Sequence, residues 1–268
     1  NFTGTFIATT TSVSFWSNSF VGTLDNISVR LAEEDRSVNG NGLQVFGTVT
    51  KNPVATGADL VAYSGFSASN YLEQPYNSDL DFGTGDFHVM GWVNVPDLVS
   101  SCRSFERNSL SSSDAARRII LNVTAGVLNV YAGGVVLTKS ISASTWVFVA
   151  AVRTSGSFSL YVDGLFVSSQ SNTLDLSFAT SIVRVGNGVQ YSGSDHSLAL
   201  LRISATAPSP EQIAKIYEDE KVLFQENAQA TLYGSSDAVT GLAHDKDTDL
   251  LHVGTSAGRS VFNGLNRI

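Results

Sequence analysis

One cysteine, Cys102, in 268 residues excludes an intrachain disulfide, and a single odd thiol is more readily an incidental residue than a nucleophile. Charge is scarce too. Asp, Glu, Lys and Arg make up 15% of the chain, against roughly 25% in an ordinary globular domain. Basic residues are the scarcer sign, 16 against 24 acidic, for a net charge of −8, and no basic cluster exceeds Arg117-Arg118. The electrostatic footprint of a nucleic-acid binder is therefore missing. No apolar run approaches the ~20 residues of a membrane span; WVFVAAV, from Trp146, is the longest. The sequence begins at Asn1 with no basic stretch ahead of an apolar one, so no secretion signal is visible and a fragment or processed product is expected. What remains suits a sheet-packed protein in an extracellular or particle setting: 43% hydrophobic residues, ample for a core, among abundant Ser, Thr, Gly and Asn.

The pattern is clearest from Trp146 to Gly164, WVFVAAVRTSGSFSLYVDG. A dense apolar strand runs to Val152, a polar turn follows at Thr154 to Ser157, and a second strand covers Phe158 to Val162. Asp163-Gly164 is a two-residue loop that favours a type I′ turn, because both residues must accept positive φ, and a third strand starts at Leu165. The first strand is apolar on both sides, with Trp146, Phe148, Ala150 and Val152 on one face and Val147, Val149 and Ala151 on the other. Such a strand is central and covered twice.

Short β patterns also occupy Thr5 to Ala8, Val13 to Trp16 and Leu24 to Leu31. Within the last, DNISV (Asp25 to Val29) resembles the closing strand of carbohydrate-binding-module jelly rolls. Thirty residues cannot build such a module, so a docked strand pair and a remnant of a preceding domain stay open. The charged, then Gly/Asn-rich stretch Ala32 to Asn41 marks a boundary. Beyond it stand GLQVFGTVT, FSASNYL (Phe66 to Leu72), FHVMGWV (Phe87 to Val93), IVRVG (Ile182 to Gly186) and LALLRI (Leu198 to Ile203).

Taken in order with WVFVAA and LYVDG, these segments resemble a laminin-G-like domain over roughly Leu43 to Tyr217. The resemblance implies a mainly β chain: a concanavalin A-like antiparallel β-sandwich (jelly roll) with one C-terminal helix. The family's closing strand carries an acidic residue in "I-D-x-V-R-I"; here Ala199-Leu200 stands in that place, and no role for that carboxylate is carried over. Ser100 to Arg118, Ser-rich and holding Arg103, Glu106 and Arg107, reads as a solvated loop, a binding loop being the sharper alternative.

The helix falls in Pro208 to Asn227. Ser209 caps it, Pro210 takes the first helical position and Gln212 completes an S-x-x-Q capping box. Ile213, Ile216, Tyr217, Leu223 and Phe224 form its apolar stripe, interrupted by Glu220. It should pack on the sandwich near its start, with later turns turned toward another chain. From Ala230 the pattern "V-T-x-L-A-x-D…L-L-x-V-G-T-x-x-G-x-x-x-F" resembles one β-propeller blade, with strands at Val239 to His244, Leu250 to Gly254 and Arg259 to Phe262. A lone blade cannot bury both faces and needs partners. The expected division is 1–42, an N-terminal β segment and linker; 43–217, the sandwich; and 218–268, the helix end and blade-like assembly segment.

As a set these parts resemble a bacteriophage tail fibre or related receptor-binding virion protein. The resemblance implies a homotrimer in an extracellular virion tail, contacting other tail proteins and host cell-surface polysaccharide. A structural or decoration protein with no ligand is the alternative, and a polysaccharide depolymerase the third reading.

No catalytic residue is assigned. A glycoside hydrolase needs two carboxylates flanking the bond, about 5–9 Å apart, and no E-x-D-x-x-E run is present. Glu218 and Glu220 sit on the helix, where residues two apart do not share a face; only Asp79 and Asp81 alternate. None of His88, His196, His244 and His252 lies in a nucleophile-elbow or metal-spaced context. Glycan contact is assigned to the loop holding Tyr191, Asp195 and His196, with an aromatic face and directional polar groups. Asp79, Asp81 and Asp86, in one Gly-punctuated loop, are the candidate ligands for calcium, the sole cofactor considered, although turn chemistry alone explains them. Asp245, Asp247 and Asp249 imitate an EF-hand start, but Leu250 fills the glycine place and the distal Glu is missing, so a β-turn is the plainer reading. Sequons at Asn1, Asn26 and Asn122 carry no weight for a chain made in bacteria.

Overall fold

Alternating apolar residues build most of this chain into strands. The computed structural model describes residues 32–33, 40, 42–109, 116–190, 192–229, 232, 238–264 and 266–268. The strands expected before Ala32 lie outside the described residues. In chain order come β1 (Ala32–Glu33), β2 (Leu43–Phe46), β3 (Thr50–Pro53), β4 (Val61–Ser64), β5 (Tyr71–Gln74), β6 (Phe87–Asn94) and β7 (Ser101–Ser109). Then follow β8 (Ile119–Thr124), β9 (Val127–Ala132), β10 (Val135–Ser140), β11 (Val147–Thr154), β12 (Ser157–Val162) and β13 (Leu165–Ser171). β14 (Ser181–Val185), β15 (Ser197–Ser204), the helix α1 (Pro210–Lys221) and β16 (Val239–Asp245), β17 (Leu250–Thr255), β18 (Gly258–Asn263) and β19 (Asn266–Arg267) complete it.

Two antiparallel sheets form the sandwich: β1-β2-β5-β14-β7-β8-β9-β10 and β13-β12-β11-β6-β15-β4-β3. The interior between them is apolar, centred on Phe87, Phe105, Leu121, Leu128, Val149 and Leu160. β11 behaves as its composition demands. Val147, Val149 and Ala151 point into that interior, while Phe148, Ala150 and Val152 belong to a second cluster on the outer face, which α1 covers. The Asp163-Gly164 corner has both φ values positive, 50° and 75°, and Asp163 Oδ1 also accepts from Phe148 N at 3.0 Å.

The capping box of α1 forms as the sequence implies: Ser209 Oγ accepts from Gln212 N at 3.2 Å and Gln212 Oε1 accepts from Ser209 N at 2.8 Å. Two expectations need correction. The end of the helical segment does not leave the sandwich: Tyr217 of α1 and Phe224 of the 3-10 turn that follows it, Val222–Phe224, stack on Trp92, with ring centroids 5.6 and 4.2 Å away. Glu220 continues the stripe by other means, since its buried carboxylate accepts from Trp92 Nε1 at 2.8 Å and pairs with Arg202. The second correction concerns Ser100 to Arg118. Residues 101–109 form β7, in the midst of the eight-stranded sheet, and Arg107, Asn108 and Ser104 are buried. The charged groups of this strand are tolerated there because they find partners, although Ser104 Oγ has none: Arg107 reaches Leu176 O at 2.9 Å and Arg117 O at 3.2 Å and pairs with Asp81.

β16 to β19 form a separate four-stranded antiparallel sheet with its first three strands where the blade-like pattern put them. Asp245 shapes its first hairpin, accepting from Asp247 N and Thr248 Oγ1. Among the described residues no helix is long and apolar enough to cross a membrane.

Candidate functional site

The outer face of the eight-stranded sheet carries a row in register, Gln44, Glu73, Arg184, Glu106, Ile120 and Tyr131, from β2, β5, β14, β7, β8 and β9, polar except at the buried Ile120. Strand alternation puts them there, because Val45, Leu72, Val183, Phe105 and Leu121 take the inner positions. Arg184 is the hub. Its Nε and Nη2 donate to Glu73 Oε2 at 3.0 and 2.6 Å and its Nη1 to Gly188 O at 2.9 Å. The guanidinium lies 4.1 Å from the Tyr71 ring centroid, and Tyr71 stacks on Phe46 at 4.7 Å with 13° between the planes. A half-buried aromatic pair, a cation and a carboxylate thus share one patch.

The loop that follows β14 lies along β7. Gly186 N donates to Ser104 O and Val189 N to Glu106 Oε2, both at 3.1 Å. Ser194 N and Oγ both reach Ser101 O, at 2.7 and 2.8 Å. Gly186 has φ +83°, and a Cβ there would stand 1.9 Å from the Phe66 ring, so only glycine fits.

Of the residues assigned to glycan contact, Tyr191 lies outside the described residues. Asp195 Oδ1 accepts from Phe66 N at 2.9 Å and His196 N at 2.8 Å, clamping the loop to the segment before β5. His196 is buried at 2% exposure, with its ring 5.1 Å from that of Phe66. Its Nδ1 meets Ser194 O at 3.1 Å and its Nε2 has no partner. Burial pushes its pKa down to about 4, against smaller upward contributions from the Ser194 carbonyl and Asp195. The structure therefore buries His196 against Phe66, while Asp195, itself exposed, ties the loop to the Phe66 backbone.

Two of the three candidate calcium ligands have their carboxylates engaged by separate protein donors. Asp81 pairs with Arg107 and accepts from Phe178 N at 2.8 Å and Tyr76 Oη at 3.1 Å. Asp86 accepts from Ser155 N at 2.8 Å. Asp79 sits in a 3-10 turn, Ser78–Leu80, capped by Asn77. Among the described residues no three His, Cys, Asp or Glu side chains are grouped to hold a metal ion.

The patch at Phe46, Tyr71, Glu73 and Arg184 escaped the sequence reading. YLEQ alternates visibly, but which strand lies beside it depends on the sheet order. A cleft of about 840 Å³ also opens between the sheets, lined by Leu43, Tyr63, Leu72, Leu80, Val185 and Leu198 among others. Glu33 stands at it, accepting from Tyr63 Oη and Lys51 Nζ, each at 2.7 Å.

Several solved structures share the fold. A W1238A mutant described as HCR/D matches with TM-score 0.55 and 14% identity, over 87% of this chain and 61% of that one. The binding domain of botulinum neurotoxin DC in complex with rat synaptotagmin II gives 0.56 and 11%, over 89% and 63%. The botulinum neurotoxin serotype G binding domain gives 0.56 and 9%, over 85% and 62%. The chain spans about three-fifths of the length of these structures. No curated protein matches significantly. Residues 66–214 match the family Laminin G 3, described as the concanavalin A-like lectin/glucanases superfamily. That stretch is more than half of the chain and contains β5 to β15 and the start of α1, so the protein belongs to this superfamily as a laminin-G-like sandwich.

Proposed function

We propose that this chain is the receptor-binding part of a virion fibre, of the bacteriophage tail-fibre kind, and holds a host-surface glycan without transforming it. The observation that carries the reading is the Phe46–Tyr71 stack with Arg184 over the Tyr71 ring. Aromatic faces stack on the C–H faces of sugar rings, and Arg184, Glu73 and Gln44 beside them offer directional hydrogen bonds. Binding domains recur among the structural neighbours, one in complex with rat synaptotagmin II and another with SialylT. A net charge of −8 fits a neutral or polar partner over nucleic acid.

Glu73 and Glu106 flank Arg184 across the row, an arrangement that evokes a depolymerase. Both are held as acceptors, Glu73 by Arg184 and Glu106 by Asn108 Nδ2 at 2.9 Å and Val189 N. Neither is presented as a free acid. Purified host polysaccharide should bind the wild-type chain, and Tyr71→Ala should weaken binding about tenfold, or 1.4 kcal/mol, with Tyr191→Ala as a second probe of the loop. Unchanged binding in both variants would remove the site. Absence of any binding would favour a decoration protein, and release of reducing ends a depolymerase.

The fibre reading includes a homotrimer assembled through the C-terminal sheet, where Leu242 is 67% and Val239 49% exposed. Light scattering should give three times the chain mass for the intact protein and the monomer mass after removal of 229–268. The cut belongs beyond Phe224, which is part of the core on Trp92. A monomeric intact chain would end the trimer idea.

A further inference from the structure

The opposite side of the sandwich carries a second groove, between α1 and the outer face of the seven-stranded sheet. It encloses about 560 Å³ and is lined by His88 and Met90 of β6, Arg202 of β15, Thr206 to Pro208, and Gln212, Lys215, Ile216 and Asp219 of or beside the helix. A β-bulge creates it. β15 pairs Ala199 with Trp92 and Arg202 with Met90, leaving the two residues Leu200 and Leu201 opposite the single Gly91, so Ala199 and Arg202 share the helix-facing side. Simple alternation would have sent Arg202 to the interior. The bulge backbone occupies the space above Gly91, where a Cβ would lie 3.0 Å from Leu201 Cα.

The polar groups of the groove are half used. Arg202 Nη2 pairs with Glu220, whereas Nη1 has no hydrogen-bond partner. His88 Nδ1 lies 2.8 Å from Thr206 O. A carbonyl only accepts, so Nδ1 carries the proton and Nε2 of the neutral ring is an acceptor. Burial, the largest influence, pushes the His88 pKa down against the opposing hydrogen bond to the Thr206 carbonyl, and Arg202 adds to the lowering. Lys215 pairs on the surface with Asp219 at 2.9 Å, a bond of small worth that can be exchanged. Each of the two cations at the groove thus has a carboxylate partner, Arg202 in Glu220 and Lys215 in Asp219, and only the exposed Lys215 pair and the second arm of Arg202 are open to exchange. Met90, Pro208 and Ile216 supply apolar walls.

We propose that this groove is a second ligand site that takes an acidic saccharide, its oxyanion on Arg202 and Lys215 and a neighbouring hydroxyl donating to His88 Nε2. Nη1 is closed to solvent, so in the proposed complex the guanidinium, whose side chain is 39% exposed, turns outward while Nη2 keeps Glu220. The site is independent of the patch on the other sheet and stands or falls without it.

Titration calorimetry of the intact chain with glucuronate, glucose 6-phosphate, glucose and inorganic phosphate tests this. Binding of glucuronate, glucose 6-phosphate or both, with glucose at least about tenfold weaker, supports the site, and the preferred probe tells a carboxylate from a phosphate ligand. Lys215→Ala, on the surface and safe for folding, should weaken the preferred probe about threefold, and Arg202→Gln about tenfold or more. Equal binding of glucose, inorganic phosphate binding as well as either sugar acid, or a Lys215→Ala variant indistinguishable from wild type would each overturn it. So would no binding by any probe.

Discussion

Lowering the pH from 7.5 to 4.5 is expected to cost the wild-type protein about 2 to 3 kcal/mol more stability than it costs a His196→Phe variant. His196 is held neutral in the fold: burial brings its pKa from the ordinary 6.5 to about 4. Between those values the unfolded chain binds the proton and the folded chain does not, so stability rises with pH across the window. The contribution is fully present above about 6.5 and is lost as the pH falls toward 4, where it amounts to about 3 kcal/mol at 1.36 kcal/mol per pKa unit. Phenylalanine keeps the contact with Phe66 and cannot titrate. His88 is shifted in the same direction and is common to both proteins, so the difference between them isolates His196. Urea denaturation at the two pH values measures it. The same pH-dependent loss in wild type and variant would show that His196 is not buried neutral. Because His196 and Asp195 fasten the loop that carries Tyr191, glycan binding should weaken over the same acid range if that loop contributes to the receptor site.

Arg107→Ala is expected to destabilise the protein by about 3 to 5 kcal/mol, the range for breaking one partner out of a buried ion pair. The side chain of Arg107 is 1% exposed and that of Asp81 14%. The guanidinium also satisfies Leu176 O and Arg117 O, so truncation leaves two carbonyls without that donor and the Asp81 carboxylate, still bonded to Phe178 N and Tyr76 Oη, without its counter-charge. Burial lowers the Arg107 pKa and the Asp81 charge partly restores it, as expected for a cation whose retention depends on that carboxylate. Asp81→Asn should be milder alone, and in the Arg107→Ala background should cost much less than in wild type, a coupling that a double-mutant cycle by chemical denaturation reads directly. Additive losses would mean that the pair is incidental. The cycle also bears on calcium: if Asp81 served an ion rather than Arg107, millimolar calcium would raise the wild-type melting temperature, and this geometry predicts no such rise.

Legibility in the sequence followed the kind of force that fixes each element. β11 was readable because burial on two sides demands a continuous apolar run, and VFVAAV supplies one. The corner at Asp163 was readable because few residue pairs accept two positive φ angles. α1 announced its start through Ser209 and Gln212, since capping is local chemistry. β7 was misread because Ser-Cys-Arg-Ser-Phe-Glu-Arg-Asn-Ser has the composition of a loop. Its burial depends on acceptors from residues remote in sequence, Asp81 and Leu176 for Arg107, and on Val189 capping Glu106. His196 was chosen as a ligand contact for its polar neighbours; the fold turned it against Phe66 instead.

By itself, then, the sequence determined the sandwich, its central strands, its tight corners and the helix that follows, because periodicity, turn chemistry and capping act over a few residues. Only the tertiary structure decided which polar side chains meet. It set Phe46, Tyr71 and Arg184 from three strands onto one patch, gave Glu220 its place between Trp92 and Arg202, and used a bulge to carry Arg202 to the helix side. Those encounters depend on strand order and register, which are settled by the packing of the whole core rather than by any local run of residues.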